Sequence, residues 1–307
     1  MSNNQKIIKS CRVCDSREIS FLCNTKNNHG NIKLLHHFKC NRCGSVFIAN
    51  IVSGDDLGVA YASIDQKTYY EEIQSENEKK FMTAIRFLKT HSDNQDKIID
   101  IGTGEGAFIE VLHENGFNNL SAHEIEGANL SKINNGITKS IYQDYDYRTI
   151  PSNEFEIVTL LDVAEHVINP QYLINTCSRI LKKDGLVYFH TPVVTKTDRV
   201  FHFLLKAPII KRIAVYWQMG RTSIFHLENY TKKSIEIILK NAGFQSIDIK
   251  IQNELSWPVD RYIKIYFLER FGLPKFFGKI LKPIFNIFIA TNFFNANKAV
   301  VNAIKSK

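Results

Sequence analysis

The chain has 307 residues, of which 44% are apolar and 23% charged, with a formal net charge of +8. That balance excludes a disordered polyelectrolyte or a fibrous repeat, and the length allows one large core plus a small appendage. The polar start (Met1, Ser2, Asn3, Asn4, Gln5, Lys6) lacks an apolar signal segment, and no apolar run approaches the roughly 18–20 residues of a membrane span. The expected setting is therefore the cytoplasm, with reduced thiols. Charge is uneven: residues 191–307 carry 19 Lys+Arg against 7 Asp+Glu, and residues 1–190 carry 20 against 24.

The first element in chain order is a pair of cysteine turns, Cys11-Arg12-Val13-Cys14 and Cys40-Asn41-Arg42-Cys43, with 25 residues between them. Each turn sets two thiolates side by side, and two such turns complete a tetrahedral site for a structural Zn2+. Phe38-Lys39 before the second pair and Gly44-Ser45-Val46-Phe47 after it read as strands flanking a zinc-ribbon knuckle. A redox role is disfavoured because no thioredoxin-like strand and helix surround either pair. Cys23 and Cys177 are expected to be buried small hydrophobes, and His29, His36 and His37 to be surface or packing residues. The zinc-ribbon-like module is placed at residues 1–60 and the main domain at 61–307.

Next, Ile73, Phe81, Ala84, Ile85, Phe87 and Leu88 define one face of a helix between Tyr69 and Lys89. Beyond it strands and helices alternate, with strands expected near 97–101, 119–124, 139–142, 156–162 and 186–191, then 246–252 and 298–304. Such alternation predicts an α/β fold with a doubly wound, mostly parallel sheet. Two helical insertions, at about 195–224 and 258–296, should lie at the end of the sheet where strand termini form a ligand crevice.

The first core strand runs directly into the most telling segment, Asp100-Ile101-Gly102-Thr103-Gly104-Glu105-Gly106. Glycine at every second position lets the backbone turn sharply and lets a ligand approach main-chain N–H groups. The order D-x-G-x-G-x-G differs from the G-x-G-x-x-G of dinucleotide sites. The second strand ends on Glu124, 24 residues after Asp100, where a carboxylate can accept two ribose hydroxyls; Glu126 is the alternative. A short third strand closes on Asp144, with Asp146 close by.

The glycine turn resembles motif I of the class I S-adenosylmethionine (SAM) methyltransferases. Phe155-Glu156-Ile157-Val158 through Glu165-His166-Val167-Ile168-Asn169-Pro170 is similar to that family's F-D-x-V…E-H-v-x-x-P, with Glu156 where Asp is usual. Further ordered likenesses run from Ser178 to Pro192, with Lys183-Asp184 replacing Pro-Gly, and from Phe225-His226-Leu227 to Gly243-Phe244. The resemblance implies seven strands, the last antiparallel, and SAM held by Asp100, Gly102, Thr103, Gly104 and Gly106. It also implies Glu124 at the ribose, Asp144 at the adenine amino group, and Asp162 closing the fourth strand. Similar cysteine-rich beginnings precede methyltransferases that act on sugars in surface-polysaccharide or natural-product pathways.

Methyl transfer needs alignment above all, and an alcohol acceptor also needs its proton removed. His226 is the expected base, with His166 or Glu165 orienting the acceptor. The expected acceptor is a small molecule or glycan: a sugar hydroxyl or carbon on a nucleotide-, phosphate- or lipid-linked carrier, whose phosphate would match the basic half. An RNA methyltransferase is the runner-up enzyme, though no RNA-binding module or N-P-P-Y motif is present, so nucleic acid is not the expected partner. A SAM-binding scaffold without turnover is the third reading. The segment Phe271–Lys282 (FGLPKFFGKILK) has the aromatic and lysine mixture of a peripheral membrane contact at an inner leaflet, against the plainer reading of a packing helix. The sequence leaves an oligomeric assembly open.

Overall fold

A computed structural model of the chain describes residues 7–63, 66–126, 130, 133, 136–205, 224–254, 259–264, 268–269, 272–290 and 296–306. The large sheet is built from β4 (Ile98–Ile101), β5 (Leu120–Glu124), β6 (Thr138–Gln143), β7 (Phe155–Leu161), β8 (Leu181–Pro192), β10 (Phe244–Gln252) and β11 (Lys298–Lys305). Its order is β10-β11-β8-β7-β4-β5-β6. β4 pairs in parallel with β5 on one side (Ile98↔Leu120) and β7 on the other (Ile98↔Ile157), while β11 runs antiparallel to both β8 and β10. The seven strands and the reversed last one match the expectation. β8 begins at Leu181 rather than near residue 186, because Leu181 already pairs with Phe155 ahead of a bulge.

Two apolar layers cover the sheet, and the alternation along β4 decides which residue joins which. Ile98 packs with Ala84, Ile85 and Leu88 of α2 (Gln66–His91) and with Phe108, Ile109 and Leu112 of α3 (Ala107–Glu114). Ile99 and Ile101 point the other way, into Leu173, Ile174 and Cys177 of α4 (Pro170–Ile180) and Ile235, Ile238 and Leu239 of α6 (Lys232–Asn241). Helices on both faces bury the parallel strands completely, which is why β4 is apolar at neighbouring positions except for Asp100. The chain leaves β4 toward β5 and β6 on one side and returns to β7 on the other, so the strand order reverses at β4 and β7 and the ligand crevice of such a sheet lies above their ends.

A second sheet has the order β1-β2-β3-β9, with β1 (Ile19–Lys26), β2 (Leu34–Cys40) and β3 (Val46–Ile48) from the amino-terminal segment. Its fourth strand is β9, the dipeptide Glu228–Asn229, paired Phe47↔Glu228 and Val46↔Asn229. Cys11, Cys14, Cys40, Cys43 and Phe47 belong to the same apolar cluster as Ile99, Val158 and Ile235 of the large sheet and α6. α1 (Gly54–Ala62), begun by a Ser53–Asp56 capping box, leads away toward α2.

Within the first insertion, α5 (Lys196–Leu204) is described, and residues 206–223, including Tyr216 and Trp217, lie outside the described residues. Within the second, α7 (Val259–Ile263) and α8 (Phe276–Ala290) are described, whereas Trp257, Tyr266, Phe267 and Phe271 lie outside. Among the described residues no helix is long and apolar enough to cross a membrane.

Candidate active site and cysteine cluster

The turn after β4 takes the left-handed backbone that glycine tolerates, with φ of +70° at Gly102, +59° at Gly104 and +92° at Gly106. A Cβ on Gly102 would stand 2.6 Å from Val163 Cγ2, and one on Gly106 2.3 Å from Ile133 Cγ1. The loop is therefore closed to side chains by geometry as well as by torsion. Gly102 and Thr103 donate their N–H groups to the His123 carbonyl (2.9 and 3.1 Å), which ties the loop to β5. Gly104 N–H donates to Glu124 Oε2 at 2.8 Å, and Ile125 N–H donates to Glu124 Oε1 at 2.8 Å. Glu124 thus sits at the β5 terminus, directly against the glycine turn.

Asp100 lies beneath this loop, almost fully buried, and accepts a 2.6 Å hydrogen bond from Thr159 Oγ1. Burial pushes its carboxyl up to about 7, partly offset by the Thr159 hydroxyl. The buried Thr103 hydroxyl offsets the burial of Asp100 in the same direction as Thr159. A glycine cradle that a Cβ would fill, flanked by the carboxylates of Asp100 and Glu124, suits a cationic, hydroxylated nucleoside.

Asp144 is at the β6 terminus, and its carboxylate organises the turn that follows. It accepts from Tyr147 N–H (2.5 Å), Thr149 N–H (3.0 Å) and the Thr149 hydroxyl, with His123 Nε2 at 3.3 Å. Burial would raise its pKa, but the Thr149 and Tyr147 hydrogen bonds hold it below the usual range.

Asp162, with φ of +58°, follows β7 into a network that sequence reasoning missed. Lys298 Nζ is 2.5 Å and Lys80 Nζ 2.9 Å from its carboxylate, and His190 Nδ1 is 3.1 Å away. His190 Nε2 in turn lies 2.9 Å from Glu254 Oε2. Burial alone would neutralise Asp162, but Lys298 and Lys80 keep it well below its ordinary value. The same ion pair outweighs the desolvation of Lys298 and raises its pKa. The five residues come from α2, the β7 end, β8, the β10 end and β11, so nothing in local spacing announces them.

The turn after Asp162 presents Glu165 and His166. Glu165 is 1% exposed, accepts from Thr191 Oγ1 at 2.9 Å, and has its pKa raised by burial. His166 Nδ1 faces the Phe225 carbonyl, which can only accept, so this nitrogen carries a proton. His166 Nε2 is 3.9 Å from Glu165 Oε1. The His226 ring stands edge-on to His166 at 5.0 Å between centroids. Polar atoms of Glu165, His166 and His226 all lie within 4.8 Å of one another. Tyr61, from α1, was not singled out from the sequence; its hydroxyl is 3.2 Å from His166 Nδ1 and its ring 5.1 Å from Phe225. Val163, in the turn that leads from β7 to Glu165 and His166, packs on the Gly102 position of the glycine loop.

The four cysteines converge. Cys11 Sγ is 3.6 Å from Cys43 Sγ and Cys14 Sγ 3.5 Å from Cys40 Sγ, and all four sulfurs lie within 4.8 Å of one another, buried. A tetrahedral thiolate site with metal–sulfur bonds of about 2.3 Å has sulfur–sulfur edges of about 3.8 Å, so the spacing fits. Val13 N–H and Cys43 N–H point at Cys11 Sγ and Cys40 Sγ (3.4 and 3.5 Å), and such donors stabilise a thiolate. Cys23 and Cys177 are buried, and neither belongs to the four-cysteine group.

A family model described as "Methyltransferase domain" matches residues 73–249. The ubiquinone biosynthesis O-methyltransferase of Idiomarina loihiensis is 28% identical over 116 residues, covering 35% of this chain and 47% of that protein. Its counterpart in Neisseria meningitidis serogroup C is 25% identical over 132 residues, covering 40% and 55%. The chain thus spans about half the length of the curated relatives it matches. Among solved structures, phosphoethanolamine N-methyltransferase 2 of Haemonchus contortus, in complex with S-adenosyl-L-methionine, superposes with a TM-score of 0.54 at 15% identity, over 93% of this chain and 71% of that one. A SAM-dependent methyltransferase from Archaeoglobus fulgidus gives 0.51 at 13% identity, over 79% and 100%. These two share the fold.

Proposed function

This chain belongs to the methyltransferase-domain family; from that premise we propose that it is a SAM-dependent enzyme that methylates a hydroxyl of a phosphate-bearing acceptor, a sugar on a nucleotide-, phosphate- or lipid-linked carrier. The observation that carries the reading is the meeting of Glu165, His166 and His226 after the turn whose Val163 packs on Gly102. A hydroxyl acceptor agrees with the O-methyltransferase names of the curated relatives. An anionic acceptor agrees with the basic residues 191–307.

SAM, when bound, supplies an electrophilic methyl group on a sulfonium and needs no further activation. The residues that would hold it are Gly102, Thr103, Gly104 and Gly106 through the loop, Asp100 and Glu124 through their carboxylates, Asp144 toward the base, and Asp162 at the methionyl end. Glu124 already anchors Gly104 N–H, so its remaining lone pairs are aimed by the loop it braces. In this reading a ring nitrogen of His226 takes the acceptor's hydroxyl proton as the new carbon–oxygen bond forms. His166, its Nδ1 proton held by the Phe225 carbonyl, orients the acceptor through Nε2. Glu165, held by Thr191 and with its pKa raised by burial, would in its ionised form favour a protonated histidine in this site. The cysteine group would hold a structural Zn2+, closed by four sulfurs and without an open position for chemistry.

The test is labelled SAM incubated with nucleotide-sugar pools and, in parallel, with total RNA, with products read by mass spectrometry. Label in a phosphate-bearing sugar is the expected outcome, and label in RNA alone overturns the acceptor class. His226→Ala should lower kcat by about 10²–10⁴ while calorimetric SAM affinity stays unchanged. Near-normal turnover in that variant would remove His226 from the mechanism.

A further inference from the structure

We propose that α8 lies on the surface of an anionic lipid bilayer and holds the acceptor-binding end of the sheet against it. The helix Phe276–Ala290 leaves Phe276 55%, Ile280 55%, Ile284 46% and Ile287 67% exposed. These four recur at helical spacing and form one outward apolar stripe. The opposite side is the packed one: Gly278 sits against Leu268 and Ile263, with a Cβ there 3.5 and 3.8 Å from their side chains. Lys275, Lys279 and Lys282 are exposed beside the stripe, and Phe276–Ala290 contains no acidic residue. Lys282 is braced by Asp260 at 2.6 Å.

An apolar face with a lysine border fits acyl chains below and phosphate headgroups beside it. Fifteen residues give a rod of about 22 Å, shorter than the roughly 30 Å hydrocarbon layer, so the helix lies in the interface rather than through it. A second copy is a poor occupant, because a two-fold contact would bring the same lysine rows together with no acid on either helix to match them.

Topology adds the orientation. Lys298, which closes the α8 insertion, pairs with Pro192, and Gln252, which opens it, pairs with Lys298. The α5 insertion leaves from the same edge, just after Pro192, and presents Val200 (55% exposed) and Phe203 (71%). This is the edge that carries Asp162, His190 and Glu254. A bilayer under α8 would therefore stand beside the crevice. The inference is independent of the acceptor and of methyl transfer itself.

The experiment is flotation of the full-length, zinc-replete chain with phosphatidylcholine vesicles and with vesicles containing 30% phosphatidylglycerol. Binding to the anionic vesicles should exceed binding to the neutral ones by at least about tenfold and fall with added salt. Ile280→Asp/Ile284→Asp should lose at least about tenfold in partitioning, as should Lys275→Glu/Lys279→Glu, each with unchanged SAM binding and circular dichroism. Equal binding to both vesicle types, no binding to either, or full binding by both variants overturns the proposal. So does light scattering that shows a lipid-independent dimer dissolved by the isoleucine substitutions, since a second copy would then be the occupant.

Discussion

The two sheets are held together by different physics, and they meet at one short segment. The large sheet is closed chiefly by two apolar layers of buried residues. The small sheet has three strands of its own, several half-exposed, and converges on four thiols. It gains its fourth strand from residues 228–229, and the surrounding bonds run both ways. Arg12 donates to the Leu227 carbonyl (3.3 Å), Ile48 N–H donates to the same carbonyl (3.0 Å), and Glu228 N–H donates to the Glu165 carbonyl (3.2 Å). His226 therefore hangs between a packed sheet and a thiol-held one. The cofactor half of the site should survive loss of the small sheet, and the acceptor half should not.

The largest expected effect comes from breaking that asymmetry at the cysteines. Cys40→Ser should abolish the zinc binding proposed for the four cysteines, measured by atomic spectroscopy, and lower kcat/KM by about 10–100-fold or more. SAM affinity by calorimetry should stay within about threefold, because Asp100, Gly104 and Glu124 have no bond to the small sheet among the described residues. A parallel fall in SAM affinity would mean that the two halves are one cooperative unit.

A smaller perturbation tests the joint itself. Thr231 caps α6 by accepting from Ser234 N–H, and its hydroxyl also donates to the Cys43 carbonyl at 2.7 Å. Tyr230 OH donates to the Ala164 carbonyl at 2.7 Å, one residue before Glu165. Thr231→Val removes the cap and the Cys43 bond together and should cost about 1–2 kcal/mol, a fall in Tm of about 2–8 °C by calorimetry. Thr231→Ser should restore most of it. A valine variant as stable as the parent would show that the β3–β9 pairing and the shared apolar cluster join the sheets without help from this bond.

The parts of this arrangement that were readable in advance are those in which one stretch of chain carries both signal and geometry. The glycine turn, the acid ending β5 and the paired cysteines are local, because a turn or a strand end is set by a few consecutive residues. The Glu165–His166 pair was readable by likeness, and His226 by its place after an insertion. What was not readable is tertiary. Lys298 starts a strand near the carboxyl terminus, and nothing near it says that it will be buried against Asp162, Lys80 and the His190–Glu254 pair. Tyr61 lies in a helix whose pattern concerns α1 alone, yet its ring reaches Phe225 and His166. Likewise a two-residue strand at 228–229 has no period to detect, and it exists because β3 offers it an edge.

A last perturbation separates a buried acid of the large sheet from its apolar neighbours. Asp100 titrates near 7 in the folded chain against an ordinary value of 3.8, because burial outweighs the Thr159 hydroxyl. The raised value means that the folded state holds a proton which the unfolded chain has already released between these two pH values. Its stabilising contribution is complete below about pH 4 and is lost as pH rises through about 7, at about 1.4 kcal/mol per pH unit for a single proton. Asp100→Asn keeps the acceptor for Thr159 and removes the titration. Denaturant unfolding from pH 4 to 8 should therefore show the wild type losing stability relative to the variant as pH rises, with the gap levelling off above about pH 7. Parallel curves would mean that water or a bound cation already neutralises the site, and that the packed sheet tolerates an ionised carboxylate under its glycine loop.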